Sequence, residues 1–103
     1  MNAPEHTVPK VIQRRLTARL DGRVQGVGFR FTTVEVARNF AVRGYVQNVV
    51  DGSVRVVAEG EEAELLRFLE GLRASHIYRF VARESLEWTP ASGEYAEFSI
   101  RYA

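Results

Sequence analysis

The sequence predicts an α+β sandwich, one antiparallel sheet with two helices on a single face. Three observations point there. Apolar and polar residues alternate from Leu16 to Val24 and then switch to helical spacing over residues 31–42. An Asp51-Gly52 turn signal divides the β-rich stretch that follows into two. A leucine-rich helical pattern comes next, and strand-forming residues return after it.

Each element has its own reason. Residues 1–13 hold Pro4 and Pro9 and have no apolar periodicity, so a flexible tail is expected ahead of one domain at 14–103. Leu16, Ala18, Leu20, Gly22 and Val24 share one face and Thr17, Arg19, Asp21 and Arg23 the other, the mark of a half-buried strand. Val34, Ala37, Phe40 and Ala41 recur at helical spacing, and the helix should end near Gly44. Tyr45 to Val50 and Ser53 to Glu59 read as two strands of a hairpin joined by Asp51-Gly52. Glu61, Glu62 and Glu64 suit the positive end of a second helix carrying Leu65, Leu66, Leu69 and Leu72. IYRFVARESLEW, residues 77–88, is the fourth strand, and Glu97 to Tyr102 a short fifth after a turn at Pro90 to Gly93. The order is βαββαβ plus a short terminal strand, the split βαβ pattern called ferredoxin-like.

Composition narrows the function. A chain of 103 residues buries roughly 60 to 65% of its unfolded surface and needs no metal or disulfide to hold it. Its 46% hydrophobic and 26% charged content is that of an ordinary globular protein. It has no cysteine, which excludes thiolate nucleophiles, disulfides and cysteine-ligated zinc. No apolar run approaches a membrane span, and Met1 to Lys10 lacks the apolar region of a signal peptide, so no membrane association and a cytoplasmic protein are expected. Every basic residue but Lys10 is an arginine, and no basic run exceeds Arg14-Arg15. That even spread argues against nucleic acid as a partner.

One loop stands apart. RVQGVGFR, Arg23 to Arg30, places two glycines one residue apart between the first strand and the first helix. In the predicted topology the first two strands are parallel, so their carboxyl ends share an edge. Asn48 then faces the Gln25 to Phe29 loop across two strand spacings, roughly 10 Å. Gly26 and Gly28 permit positive φ, so successive N–H groups can curl into a concave anion nest. The helix start adds its own free N–H groups, and Arg30 can supply a guanidinium to the same oxyanion. A simpler role stays open on spacing alone: two glycines turn the strand tightly and Arg30 is solvated. The loop is neither a Walker A sequence nor a dinucleotide fingerprint.

RVQGVGFR, with Gly44-Tyr45-Val46-Gln47-Asn48 and Asp51-Gly52-Ser53-Val54, closely resembles the acylphosphatase family, small enzymes that hydrolyse the carboxyl-phosphate bond. The resemblance continues through Val56-Val57-Ala58-Glu59-Gly60 and Ser92-Gly93-Glu94-Tyr95 to Phe98-Ser99-Ile100-Arg101-Tyr102, about residues 14–102. It implies that Arg30 binds the phosphate and that Asn48 orients the attacking water. It also implies a phosphate cradle of Gln25, Gly26, Val27, Gly28 and Phe29, with Phe29 packed into the core, and a monomer acting on a small-molecule acyl phosphate with inorganic phosphate as product. Two departures stand out. Family members often carry Gly-Pro before the fourth strand where this chain has Gly71-Leu72-Arg73-Ala74-Ser75-His76-Ile77, and Glu84 interrupts that strand's alternation.

The implied chemistry suits these residue types. A carboxylate leaving group has a conjugate acid of pKa near 4, so no general acid is needed to expel it. A loose phosphoryl transition state asks mainly for positioning and charge stabilisation, which an arginine and backbone amides supply. No cofactor and no metal are expected. His6 and His76 lie far apart in sequence, and Glu61, Glu62 and Glu64 read as a solvated helix start. Trp88, Tyr95 and Phe98 read as packing. Two alternatives remain: a catalytically silent or carbamoyl-phosphate-handling relative, and RNA binding, since Gly28-Phe29-Arg30-Phe31 superficially resembles an RNA-recognition motif. The third strand, SVRVVAE, carries none of the aromatics that RNA binding would use.

Overall fold

A computed structural model describes residues 12–102. In chain order it contains β1 (Gln13–Gly22), α1 (Phe29–Ala37), β2 (Arg43–Asn48), β3 (Val54–Glu61), α2 (Glu62–Ala74), β4 (Val81–Pro90) and β5 (Phe98–Arg101). The tail expected at residues 1–13 lies outside the described residues up to residue 11. Gln13 opens β1, where it pairs with Glu61.

The sheet order is β4-β1-β3-β2-β5. β3 is antiparallel to both β1 and β2, so those two are parallel to each other, as the split βαβ order requires. β5 adds to β2 in parallel, which makes the sheet mixed at that edge.

Strand parity sorts the side chains. Leu16, Ala18 and Leu20 of β1, Val54, Val56 and Ala58 of β3 and Val46 of β2 are buried toward the helices. α2 meets them with Leu65, Phe68, Leu69 and Leu72, all buried and three or four residues apart. Cutting any of these leucines to alanine costs about 2 to 5 kcal/mol. α1 contributes Phe29 and Ala37, and Phe98 of β5 packs on Phe68 with ring centroids 5.5 Å apart.

The opposite face is covered by the segment between β4 and β5. Glu59 of β3 is fully buried there. Its carboxylate accepts the N–H groups of Ser92 at 2.8 Å and Gly93 at 2.9 Å and the Arg15 guanidinium at 2.7 Å. Burial alone would raise its pKa, but these donors outweigh burial and hold it down at about 2. Tyr95 completes the cover by packing edge-on to Tyr45 at 5.8 Å.

Several element boundaries differ from the sequence reading, Glu61 closing β3 instead of opening α2 and β4 running on to Pro90 among them. α1 occupies 29–37 rather than 31–42, because Gly28 turns left-handed directly ahead of it. The two-residue turn at Asp51-Gly52 does not form. Instead the Val49 N–H donates to the Ser53 carbonyl at 2.9 Å and the Gly52 N–H to the Val49 carbonyl at 3.0 Å, so Val50 joins the loop. The Ser53 hydroxyl and N–H and the Arg19 guanidinium all bind the Asp51 carboxylate outside the ladder, pulling its pKa to about 2. Finally, residues 76–80 form a 3-10 turn and β4 begins only at Val81. Glu84 pairs with Leu20 on the helix-facing side, and there Arg73 of α2 and the Tyr78 hydroxyl both donate to its carboxylate. The break in alternation therefore joins the sheet to α2, and the register with β1 runs evenly from Arg14 opposite Pro90 to Asp21 opposite Arg83 before it shifts by one residue between Asp21 and Gly22.

Candidate active site

The loop after β1 has the backbone its glycines allow. Gly26 stands at φ 80° and Gly28 at φ 82°, with no positive-φ residue between them. An added Cβ at either would meet nothing within 4 Å, so the requirement for glycine is conformational rather than steric. Gly28 also caps α1: its carbonyl accepts the Thr32 N–H at 3.0 Å. Among the described residues, none of the N–H groups of residues 25–30 donates to a backbone or side-chain acceptor. They form a run of free donors at a helix N-terminus, where the dipole favours an anion.

Parity explains how Asn48 reaches this loop. It pairs with Val54 at the last position of β2 and so points to the helix side, like Val46. Its Oδ1 is buried without a hydrogen-bond partner, the only side-chain atom in that condition among the described residues. A buried polar atom without a protein partner costs free energy unless a water or another donor reaches it, so this acceptor is open to one.

Asn48, Gly26, Gly28, Phe29 and Arg30 line one cleft of about 270 Å³. Arg30 makes no ion pair among the described residues, although Arg14, Arg15, Arg19 and Arg73 all do. What it touches is an aromatic ring: its guanidinium carbon lies 5.2 Å from the centroid of Tyr102. Among the described residues its guanidinium donates to no side-chain or backbone acceptor.

The residues expected to form the cradle contribute in different ways. Phe29 is buried and offers only its N–H. Val27 packs against the core. The Gln25 side chain turns away, donating to the carbonyls of Val49 at 2.7 Å and Ser53 at 2.9 Å. Sequence reasoning missed Val24, Phe31, Ile100 and Tyr102 in the wall of the cleft. Ile100 and Tyr102 arrive because β5 lies parallel to β2 and ends at the same edge, a pairing that no local pattern announces. Among the described residues no group of three or more Asp, Glu or His side chains comes together to hold a metal ion, and no helix is long and apolar enough to cross a membrane.

The chain matches the sequence profile of the Acylphosphatase family over residues 16–100. It is 44% identical over 89 residues to the Acylphosphatase of Thermotoga petrophila, which covers 86% of this chain and 98% of that protein. It is 38% identical over 90 residues to the Acylphosphatase of Lactobacillus johnsonii, covering 86% of this chain and 99% of that one. Among solved structures, the acylphosphatase of Bacillus subtilis superposes with a TM-score of 0.78 at 34% identity, over 86% of this chain and 99% of that chain. Similarity that runs from β1 into β5 and spans nearly the whole of each relative leaves one conclusion: this chain belongs to the acylphosphatase family of enzymes.

Proposed function

We propose that the protein hydrolyses acyl phosphates to a carboxylate and inorganic phosphate at the cleft between the Gln25 to Phe29 loop and the end of β2. The phosphoryl oxygens sit against the free N–H groups of residues 26–30, and Arg30 adds its guanidinium. Asn48 Oδ1 accepts a hydrogen bond from a water and aims its oxygen at phosphorus. A neutral amide does this without placing a further negative charge beside the phosphate. The phosphorus–water bond forms as the bond from phosphorus to the acyl oxygen breaks. The electron pair leaves on the carboxylate, and the water's proton passes to the phosphate product. Because that carboxylate is a weak base, the absence of a proton donor beside it costs little.

The observation that carries this reading is the unpartnered Asn48 Oδ1 in the wall of the cleft that Arg30 also lines. A test is hydrolysis of benzoyl phosphate before and after exhaustive treatment with a chelator. An unchanged rate is expected. Loss of activity on chelation, with recovery on adding a divalent ion, rejects the mechanism.

A further inference from the structure

The phosphoryl group fills only part of the cleft. Its bulk is roughly that of two to three waters at about 30 Å³ each, whereas the cleft holds about 270 Å³. The remaining wall is apolar, built from Phe31, Ile100 and Tyr102, and Arg30 is the one charged residue in it among the described residues.

Two of these residues are unusual for their exposure. Phe31 is 66% exposed and Tyr102 72% exposed. Phe31 adds little to the core, a task that Phe29 performs from the opposite side of α1, two residues earlier. Tyr102 lies against Arg30 and presents the rest of its ring to the cleft and to water. Val50, fully exposed, sits in the β2–β3 loop at the same end of the sheet. Half of the large apolar residues exposed in the described chain, Phe31, Val50 and Tyr102 among Ile12, Leu66 and Leu86, thus gather where β1, β2 and β5 end. Large apolar groups left in water around a cleft mark a binding surface.

We infer that Phe31 and Tyr102 form a lip that receives the acyl portion of the substrate, so that the enzyme favours aromatic or extended apolar acyl phosphates over acetyl phosphate. This inference rests on the reading of Arg30 and Asn48 as the phosphoryl site. Contacts to the part of the acyl group that does not change during the reaction are the same in the ground and transition states, so they act on KM rather than on kcat. An open apolar lip discriminates less than a closed pocket, where one methylene is worth about 10-fold or more.

The experiment compares benzoyl phosphate and acetyl phosphate in the native chain, Phe31→Ala and Phe31→Leu, with inhibition by inorganic phosphate reporting the cradle alone. The expected result is a KM lower by about tenfold for benzoyl phosphate in the native chain. Phe31→Ala should lose most of that ratio and Phe31→Leu should retain part of it. An unchanged benzoyl-to-acetyl ratio in Phe31→Ala overturns the inference and leaves the phosphoryl site standing. So does an equal loss of affinity for both substrates and for inorganic phosphate, which would make Phe31 a support of the cradle. If the native chain hydrolyses neither substrate, the phosphoryl reading falls and the lip falls with it.

Discussion

Gln25 Nε2 donates to the Val49 carbonyl at 2.7 Å, which ties the loop after β1 to the residue that follows Asn48. A second bond, to the Ser53 carbonyl at 2.9 Å, fixes the same amide to the far side of the β2–β3 loop. One side chain thereby sets the spacing between the Arg30 arm of the site and the Asn48 arm. Gln25→Ala should destabilise the fold by about 1 to 2 kcal/mol. It should also lower kcat/KM by something on the order of tenfold, since a misplacement of about 1 Å can cost up to 10²-fold. Denaturant melts and steady-state kinetics measure both, and a variant with full kcat/KM would show that the two arms keep their places unaided.

Arg30 and Asn48 should separate by role. If the guanidinium holds the group that product and substrate share, Arg30→Ala should weaken inhibition by inorganic phosphate as well as turnover. Asn48→Ala should lower kcat by a factor on the order of 10² to 10³, the loss usual for one preorganised polar group, with phosphate binding preserved. Titration of phosphate alongside kcat decides it. Loss of phosphate affinity in Asn48→Ala with retention in Arg30→Ala would reverse the two assignments.

Gly28→Ala tests the cradle's backbone. The new methyl group meets no neighbour within 4 Å, so any effect comes from forcing alanine to φ 82°. The strain is about 1 to 2 kcal/mol. If the backbone relaxes to relieve it, the free N–H groups turn out of their concave arrangement and phosphate affinity should fall several-fold at little cost to the melting temperature. Equal phosphate affinity in the variant would mean that the loop's amides do not hold the anion.

Glu59 should shape the acid limb of the stability curve. Its folded pKa of about 2 lies below its ordinary value of 4.5. The unfolded chain therefore takes up this proton first as pH falls. The stabilisation is complete above about pH 5 and drains away as pH drops toward 2. Glu59→Gln should cost about 3 to 5 kcal/mol near neutrality, because the Arg15 guanidinium and two N–H groups lose their carboxylate. The variant's melting temperature should then decline less steeply between pH 5 and pH 2 than that of the native chain. Parallel curves for the two proteins would mean that other carboxylates govern acid unfolding.

Much of the architecture was legible because periodicity reports burial. Leu16, Ala18 and Leu20 on one strand face, and Leu65, Leu69 and Leu72 on one helix face, appear in the core where their spacing puts them. The boundaries were less legible where tertiary partners decide. Asp51-Gly52 carries a strong two-residue turn signal, yet Arg19 and Ser53 hold Asp51 in a longer loop. IYRF reads as strand by composition, but it forms a 3-10 turn whose Ile77 is fully buried in the core. That Arg30 and Asn48 would meet at one cleft was readable because the parallel pair of β1 and β2 follows from topology. Tyr102 was not, because its place depends on which edge of the sheet β5 joins.

The direction of β5 also governs how this protein can be attached to anything else. The chain leaves β5 at the end of the sheet that carries the cleft, and it enters β1 at the opposite end. Each residue of the 10-residue β1 rises about 3.3 Å. A linker or solid support joined ahead of Gln13 therefore begins roughly 30 Å from the cleft mouth. One joined after Tyr102 begins in its wall and narrows the way into it, so fusion and immobilisation that leave the cleft open belong at the amino-terminal side.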